Sequence, residues 1–357
     1  MEANRRIAVI MAGGSGERFW PLSTPTRPKQ LLKLTSPTET MLQEAVSRIE
    51  PLVGSSNVYA AVSTSIEQAV RDSNVVPPQN VWAEPTKRNT LGCLCWVSAQ
   101  LLAVGDENAT VAVLTADHQI GKPHRFRETI RAALELAEEK NALVTIGIPP
   151  TRPETGYGYI EADYQDISLA SSGREGYHSV SFREKPDAFT AASFLEAGNF
   201  LWNSGMFFFR LASFLQELDN AQPQARMTVN LMASALAKGN AVEASQRFTE
   251  LPSISVDFAV MEKAQNVWVV PADFPWDDVG SWDSLERTLP ADEHGNVSQG
   301  QTALIDTRNS IVVNDSEAIR VGVLGLENVI VVATEGAVLV CAKDQAQRVR
   351  EITSKLT

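Results

Sequence analysis

The sequence predicts an α/β/α sandwich on a mixed, largely parallel sheet, followed by a small all-β module. Three observations predict it. Apolar runs of strand length alternate with helix-period segments through the first half of the 357-residue chain, the pattern of buried parallel strands covered on both faces. The first of these runs leads straight into a glycine-rich loop. After a polar break at Pro290–Gly300, the texture changes to short β runs separated by Gly, Asn, Asp and Glu.

Taken in order, Arg6–Met11 (RIAVIM) is predicted as the first strand, with Gly13 and Gly14 just after it. Thr40 and Gln43 stand at capping-box spacing, and Met41, Leu42, Ala45, Val46 and Ile49 recur at helical intervals. Val58–Val62 and Val81–Trp82 read as short strands. Asn89–Val104 reads as a helix, apolar on nearly all sides and therefore buried. A β-rich run at Thr110–Thr115, an amphipathic helix at Phe126–Lys140 and a strand at Ala142–Ile148 follow. Residues 151–290 are less regular. Short strands around Tyr157–Ile160, Ser179–Arg183 and Met206–Phe209 read as a layer added to the main sheet, followed by helices at Leu211–Leu218 and Gln224–Ala237. The late β runs are Thr302–Asp306, Ser310–Asn314, Ala318–Val323, Val329–Thr334 and Ala337–Ala342, with a closing helix near Gln345–Leu356. The expected division is a large domain, residues 1–290, and a small one, residues 291–357. Ligands in such sheets bind at the carboxyl ends of strands, so polar residues just after strands carry the functional information.

Composition narrows the function class. Hydrophobic residues make up 44% and charged residues 21%, ordinary globular values. No apolar run approaches bilayer length, and the stretch after Arg5 and Arg6 is too short for a signal peptide; a cytoplasmic location is expected. Cys93 and Cys95 sit two apart, Cys341 is distant, and no CxxC pairing occurs; all three read as buried small hydrophobes. The net charge of −12 argues against a nucleic-acid or anionic-membrane surface. Residues 1–33 run the other way, with Arg5, Arg6, Arg18, Arg27, Lys29 and Lys33 against Glu2 and Glu17. A basic island in an acidic chain suggests a site for a small polyanion.

The residues at strand ends refine this. Glycines at 13, 14 and 16 let backbone N–H groups turn toward an anion, and Arg18 and Lys29 could add charge on phosphate oxygens. The spacing is neither GxGxxG nor a P-loop, since no GK[ST] follows. Lys29 follows Pro28, which limits its backbone freedom. Asp117 ends one strand and Asp278 lies far downstream. Either alone reads as a cap or turn residue, whereas two such carboxylates at one sheet mouth would make a Mg²⁺ site. His118 reads as a structural neighbour, and four scattered histidines do not make a zinc site.

MAGGSGERFWPLS followed by RPKQLL resembles the opening of the nucleoside-diphosphate-sugar pyrophosphorylase family, in its mannose-1-phosphate guanylyltransferase branch. EPTKRNT, ADHQI, PETGYGYIE, FREKP, WNSGMFFF, SVDFAVMEK and WDDVGSW follow in the family's order. The resemblance implies a Rossmann-like nucleotidyltransferase fold with a left-handed β-helix-like tail, in a short form without an isomerase domain and as a homodimer. It implies transfer of GMP from GTP to mannose 1-phosphate, giving GDP-mannose and pyrophosphate, with no nucleic-acid or membrane partner. Arg18, Lys29, Asp117 and Asp278 would be catalytic, the two aspartates holding Mg²⁺. Gly13, Gly14, Ser15, Gly16, Glu84 and Asn89 would bind nucleotide. Gly158, Glu184, Lys185 and Asn203 would bind the sugar phosphate, with Glu161 a weaker candidate. A relative with another sugar or base, or a catalytically silent sensor of nucleotide sugars, would share much of this pattern. The chain departs from the family at Leu91-Gly92, usually Ala-Pro, and at Phe258, usually Tyr.

Overall fold

The structure is a computed structural model that describes residues 5–14 and 16–356. The described residues form two compact units: residues 5–13, 46–115 and 121–275, and residues 14, 16–45, 116–120 and 276–356. Residues 14–45 group with the C-terminal strands.

The first unit is built on a nine-stranded sheet. Its strands are β1 (Arg6–Ala12), β2 (Val58–Ser63), β3 (Val81–Glu84), β4 (Thr110–Thr115), β5 (Leu143–Ile148), β6 (Gly158–Leu169), β7 (Glu175–Glu184), β8 (Phe200–Arg210) and β9 (Val267–Pro271). Their order is β3-β2-β1-β4-β8-β5-β9-β7-β6, with β6 also pairing β8. The pairs β1–β2, β1–β4, β2–β3 and β5–β9 are parallel. β8 runs antiparallel to both β4 and β5. The expected added layer is therefore not a layer. β8 lies inside the main sheet because Phe207, Phe208 and Phe209, nearly inaccessible to solvent, need cover on both faces. The helix Asn89–Ala103 is buried over most of its length, as its all-round apolar surface predicts.

The second unit has a different core. Strands β10 (Val297–Gln299), β12 (Ile311–Asn314) and β14 (Val329–Ala333) pair in parallel, and β15 (Val338–Ala342) closes this sheet antiparallel. β11 (Thr302–Ile305) and β13 (Val321–Leu324) form a second parallel ladder. Val312, Val323 and Val331 pack together from three of these strands. A larger cluster joins Ile311, Val313, Ile330, Val332, Leu339, Ala346 and Val349 to Phe19, Leu22, Leu32, Leu34, Met41 and Trp282. The glycine-loop segment is thus packed into the β module. Thr40 and Gln43 form the expected reciprocal cap: Thr40 N–H donates to Gln43 Oε1 at 2.7 Å, and Gln43 N–H to Thr40 Oγ1 at 3.3 Å. Among the described residues no helix is long and apolar enough to cross a membrane.

Candidate active site

In the second unit the loop turns at Gly16, whose φ is +63°. A Cβ there would stand 2.5 Å from Lys29 Cβ and 2.7 Å from Lys29 N, so only glycine allows this approach. Gln30 Nε2 donates to the Gly14 carbonyl at 3.1 Å and ties the loop down from the same side. Ser15 lies outside the described residues. The Lys29 ammonium is buried; it donates to Asp117 Oδ2 at 3.0 Å and to the Asp278 backbone carbonyl at 2.8 Å.

The Asp117 side chain is 42% exposed. Desolvation pushes this carboxyl up, but Lys29 and His118 together pull harder, and the net direction is below the usual carboxylate range. His118 itself is held by the Trp276 indole, which donates to Nδ1 at 3.1 Å.

Asp278 precedes Val279, a β-branched residue at φ +46°. That conformation costs about 1–3 kcal/mol and persists because the Val279 side chain is buried beside Trp282 and its N–H donates to Asp277 Oδ1 at 2.8 Å. Asp277 is further engaged by Arg287 at 2.7 Å. Gly280 lets the next turn approach the Asp278 carboxylate: a Cβ there would stand 2.9 Å from Oδ2. The result separates the adjacent acids. Asp277 serves the loop, and Asp278 faces a cavity of ≈ 360 Å³ that Gly16, Arg18, Lys29, Asp117 and His118 also line. Arg18 Nε is buried with no hydrogen-bond partner among the described residues.

Two carboxylates on an open polar cavity match the donor set of Mg²⁺, which completes its octahedron with phosphate oxygens and water. Among the described residues no group of three or more His, Cys, Asp and Glu side chains is placed to hold a metal, which does not suit structural zinc.

In the first unit Glu84 ends β3, paired with Ser63. It is buried rather than a solvated loop acid, and burial raises its carboxyl to about 7, against a lowering by the Cys93 thiol bond. A Cβ at Gly13 would stand 3.3 Å from Glu84 Oε1. Backbone and carboxylate are therefore in close approach. Asn89 adopts φ +57°, and its Oδ1 accepts from Thr90 N–H at 2.8 Å. Leu91 is fully buried and Phe258 is 45% exposed, so the hydroxyl lost there had no burial to satisfy.

A second group gathers where β6, β7 and β8 meet. Gly158 is opposite Glu184, and a Cβ there would stand 2.6 Å from Glu184 Oε2 and 3.3 Å from Asn203 Cβ. Lys185, at φ +48°, pairs with Glu184 at 3.1 Å and keeps 62% of its side chain exposed. Glu161 is spent within the sheet, accepting from Ser181 Oγ at 2.8 Å and Asn199 Nδ2 at 3.3 Å. Asn203, a candidate sugar-phosphate residue, is engaged by its neighbours. Its Oδ1 accepts from Gly205 N–H at 3.1 Å; Thr145 Oγ1 stands 3.2 Å away, but its single proton has the nearer Met206 carbonyl at 2.9 Å, so Asn203 keeps acceptor capacity as well as an N–H to offer. Its Nδ2 donates to Asp257 Oδ1 at 2.8 Å. Asp257 was not anticipated, although it lies in the SVDFAVMEK motif. It opens a π-helical turn, and burial, followed by the charge of Glu184, raises its carboxyl to about 6.

The family model described as nucleotidyl transferase matches residues 7–295. The chain belongs to the nucleotidyl transferase family. A second model, described as the MannoseP isomerase/GMP-like beta-helix domain, matches residues 300–356 of this nucleotidyl transferase. A mannose-1-phosphate guanylyltransferase of Klebsiella pneumoniae is 37% identical over 97% of this chain and 72% of its own length. One from Escherichia coli is 36% identical over 97% of this chain and 72% of its own. A solved structure from Thermus thermophilus, described as a mannose-1-phosphate geranyltransferase, is 34% identical, with a TM-score of 0.86 over 99% of both chains.

Proposed function

We propose that this nucleotidyl transferase makes GDP-mannose and pyrophosphate from GTP and mannose 1-phosphate. The observation that carries the reading is the Lys29 ammonium, buried at the edge of a cavity lined by Arg18, Asp117 and Asp278. Relatives at 36–37% identity that carry the guanylyltransferase name supply the substrates.

A sugar-1-phosphate oxygen forms a new P–O bond at the α-phosphorus of GTP as the bond to the β-phosphate oxygen breaks. Pyrophosphate leaves with that electron pair. The nucleophile is already ionised near neutral pH, so no side chain has to remove a proton. Lys29, Arg18 and the N–H groups of the glycine loop offset charge on the transferred and departing phosphates. Asp117 and Asp278 would hold Mg²⁺, which when bound neutralises phosphate charge and aligns the leaving group. Glu84 accepts from guanine N1–H and the 2-amino group, two adjacent donors that uracil, thymine and adenine do not present. Lys185 takes the sugar phosphate, and Glu184, the free N–H of Asn203 and the free oxygen of Asp257 take sugar hydroxyls. Asn89 and Gly158 complete the nucleotide and sugar surfaces. A cytoplasmic homodimer is part of the same reading.

The test is pyrophosphate release with every pairing of four nucleoside triphosphates and several hexose 1-phosphates. GTP with mannose 1-phosphate should give the highest kcat/KM. A higher value for another base or sugar would overturn the assignment.

A further inference from the structure

The last helix adds one residue to the lining of the cavity in the second unit. Arg350 opens the last helix, Arg350–Leu356, and its exposed side chain lines the same cavity as Gly16, Arg18, Lys29, Asp117 and Asp278. We propose that Arg350 is a phosphate-binding residue of this cavity and contacts the pyrophosphate end of the substrate. The proposal rests on the nucleotidyl transfer read above and adds to it a cation supplied by the β module.

The position is fixed, not incidental. Ala346 and Val349, which precede Arg350, are 2% and 1% exposed within the cluster that contains Phe19 and Trp282. Gln347 Nε2 donates to Ser281 Oγ at 2.7 Å, one residue beyond Gly280 of the aspartate loop. Lys343 pairs with Glu286 at 2.7 Å. Three anchors on one short stretch therefore hold the helix start against the loop that carries Asp278.

Charge points the same way. Glu17, Asp117 and Asp278 line the cavity, and Lys29 is already paired to Asp117. With Lys29 committed to Asp117 and the aspartates read as holding Mg²⁺, Arg18 and Arg350 are the lining cations left to meet phosphate oxygens directly. The neighbouring Arg348 is held by both oxygens of Glu351, at 3.0 Å each. No ion pair holds Arg350 among the described residues. A guanidinium is suited to this work because its planar fork matches phosphate oxygens in pairs.

The experiment runs the reaction backwards, from GDP-mannose and pyrophosphate, in wild type, Arg350→Ala, Arg350→Lys and the control Arg348→Ala. Arg350→Ala should raise KM for pyrophosphate about ten-fold while KM for GDP-mannose stays within about two-fold. Arg350→Lys should recover part of the loss, and Arg348→Ala should match wild type. An unchanged pyrophosphate KM in Arg350→Ala, or an equal rise in Arg348→Ala, overturns the proposal. Calorimetric titration of the same proteins with magnesium pyrophosphate alone reads the residue without turnover. If wild type fails on GDP-mannose but the Arg350→Ala binding loss remains, the substrate reading falls and this inference stands. If binding is unchanged, the inference falls on its own.

Discussion

Gly16 is packed directly on Lys29: a side-chain carbon at residue 16 would stand 2.5 Å from Lys29 Cβ and 3.0 Å from Ser23 Oγ. The nearest atoms belong to the base of a buried side chain and its own backbone, so they cannot swing away. Gly16→Ala should lower stability by about 1–3 kcal/mol and kcat by at least about ten-fold, because Lys29 must move off Asp117. Thermal unfolding and saturating-substrate kinetics check both effects; a variant with normal kcat shows that the Lys29 position is not critical.

Lys29 itself should matter more in the transition state than in the ground state. Lys29→Ala is expected to depress kcat at saturating GTP, whereas a change confined to KM would limit the residue to binding.

Asp117→Asn and Asp278→Asn should each leave the fold intact and remove about two to three decades of kcat, the effect of losing one charged group that serves phosphoryl-type chemistry. Asp277→Asn is the contrast. Its carboxylate is engaged by Arg287 and the Val279 N–H, so it should cost stability before it costs chemistry. Circular dichroism melts and kcat for the three variants separate these roles.

If Glu84 reads guanine it must do so ionised, yet burial raises its carboxyl to about 7 in the free protein. Affinity for GTP should therefore rise as pH increases through 7, and fall about ten-fold per pH unit well below it. Glu84→Gln should flatten this profile and narrow the preference for GTP over ITP, which lacks the 2-amino group. A flat wild-type profile between pH 6 and 8 would mean that the base is chosen elsewhere.

Asp257 makes a prediction about stability. Its carboxyl is raised from 3.8 to about 6, so between these values the folded state binds more protons than the unfolded state. Stability from this group is present at low pH and lost as pH rises through that window. Asp257→Asn should remove the loss, gaining up to about 3 kcal/mol at pH 7, while weakening mannose 1-phosphate binding. Urea midpoints at pH 4.5 and 7, alongside KM for the sugar phosphate, test the opposed effects; a wild-type midpoint that does not fall over this range refutes the assignment.

Local features were legible in the sequence and distant ones were not. The Thr40–Gln43 cap, the buried helix at Asn89 and the first strands are set by residues within a few positions of one another. β9, Val267–Pro271, ends in proline and draws its identity from β5 and β7, more than eighty residues earlier. β8 looked peripheral because nothing near Phe207 says that β4 and β5 will flank it. The site showed the same limit. Lys29, Asp117 and Asp278 could be chosen from motifs, but the bond from Asn203 to Asp257 spans 54 residues, and the raised Asp257 carboxyl comes first from burial and then from Glu184. The grouping of residues 14–45 with the C-terminal strands has no local signal at all, since its core is a handful of apolar residues from opposite parts of the chain.

The packing of Phe19, Leu32 and Leu34 with Ile330, Leu339 and Val349 has a consequence for synthesis on the ribosome. The lysine-bearing loop emerges first, but the side chains that cover its underside emerge some three hundred residues later. Until then Phe19 and its neighbours lack the part of their cover that Ile330, Leu339 and Val349 supply. A nascent chain can complete its large sheet once Val267–Pro271 has emerged and still lack these closing strands. Competence arrives only as the closing strands leave the exit tunnel, so an interrupted translation product would not release a partly active transferase into the nucleotide pool.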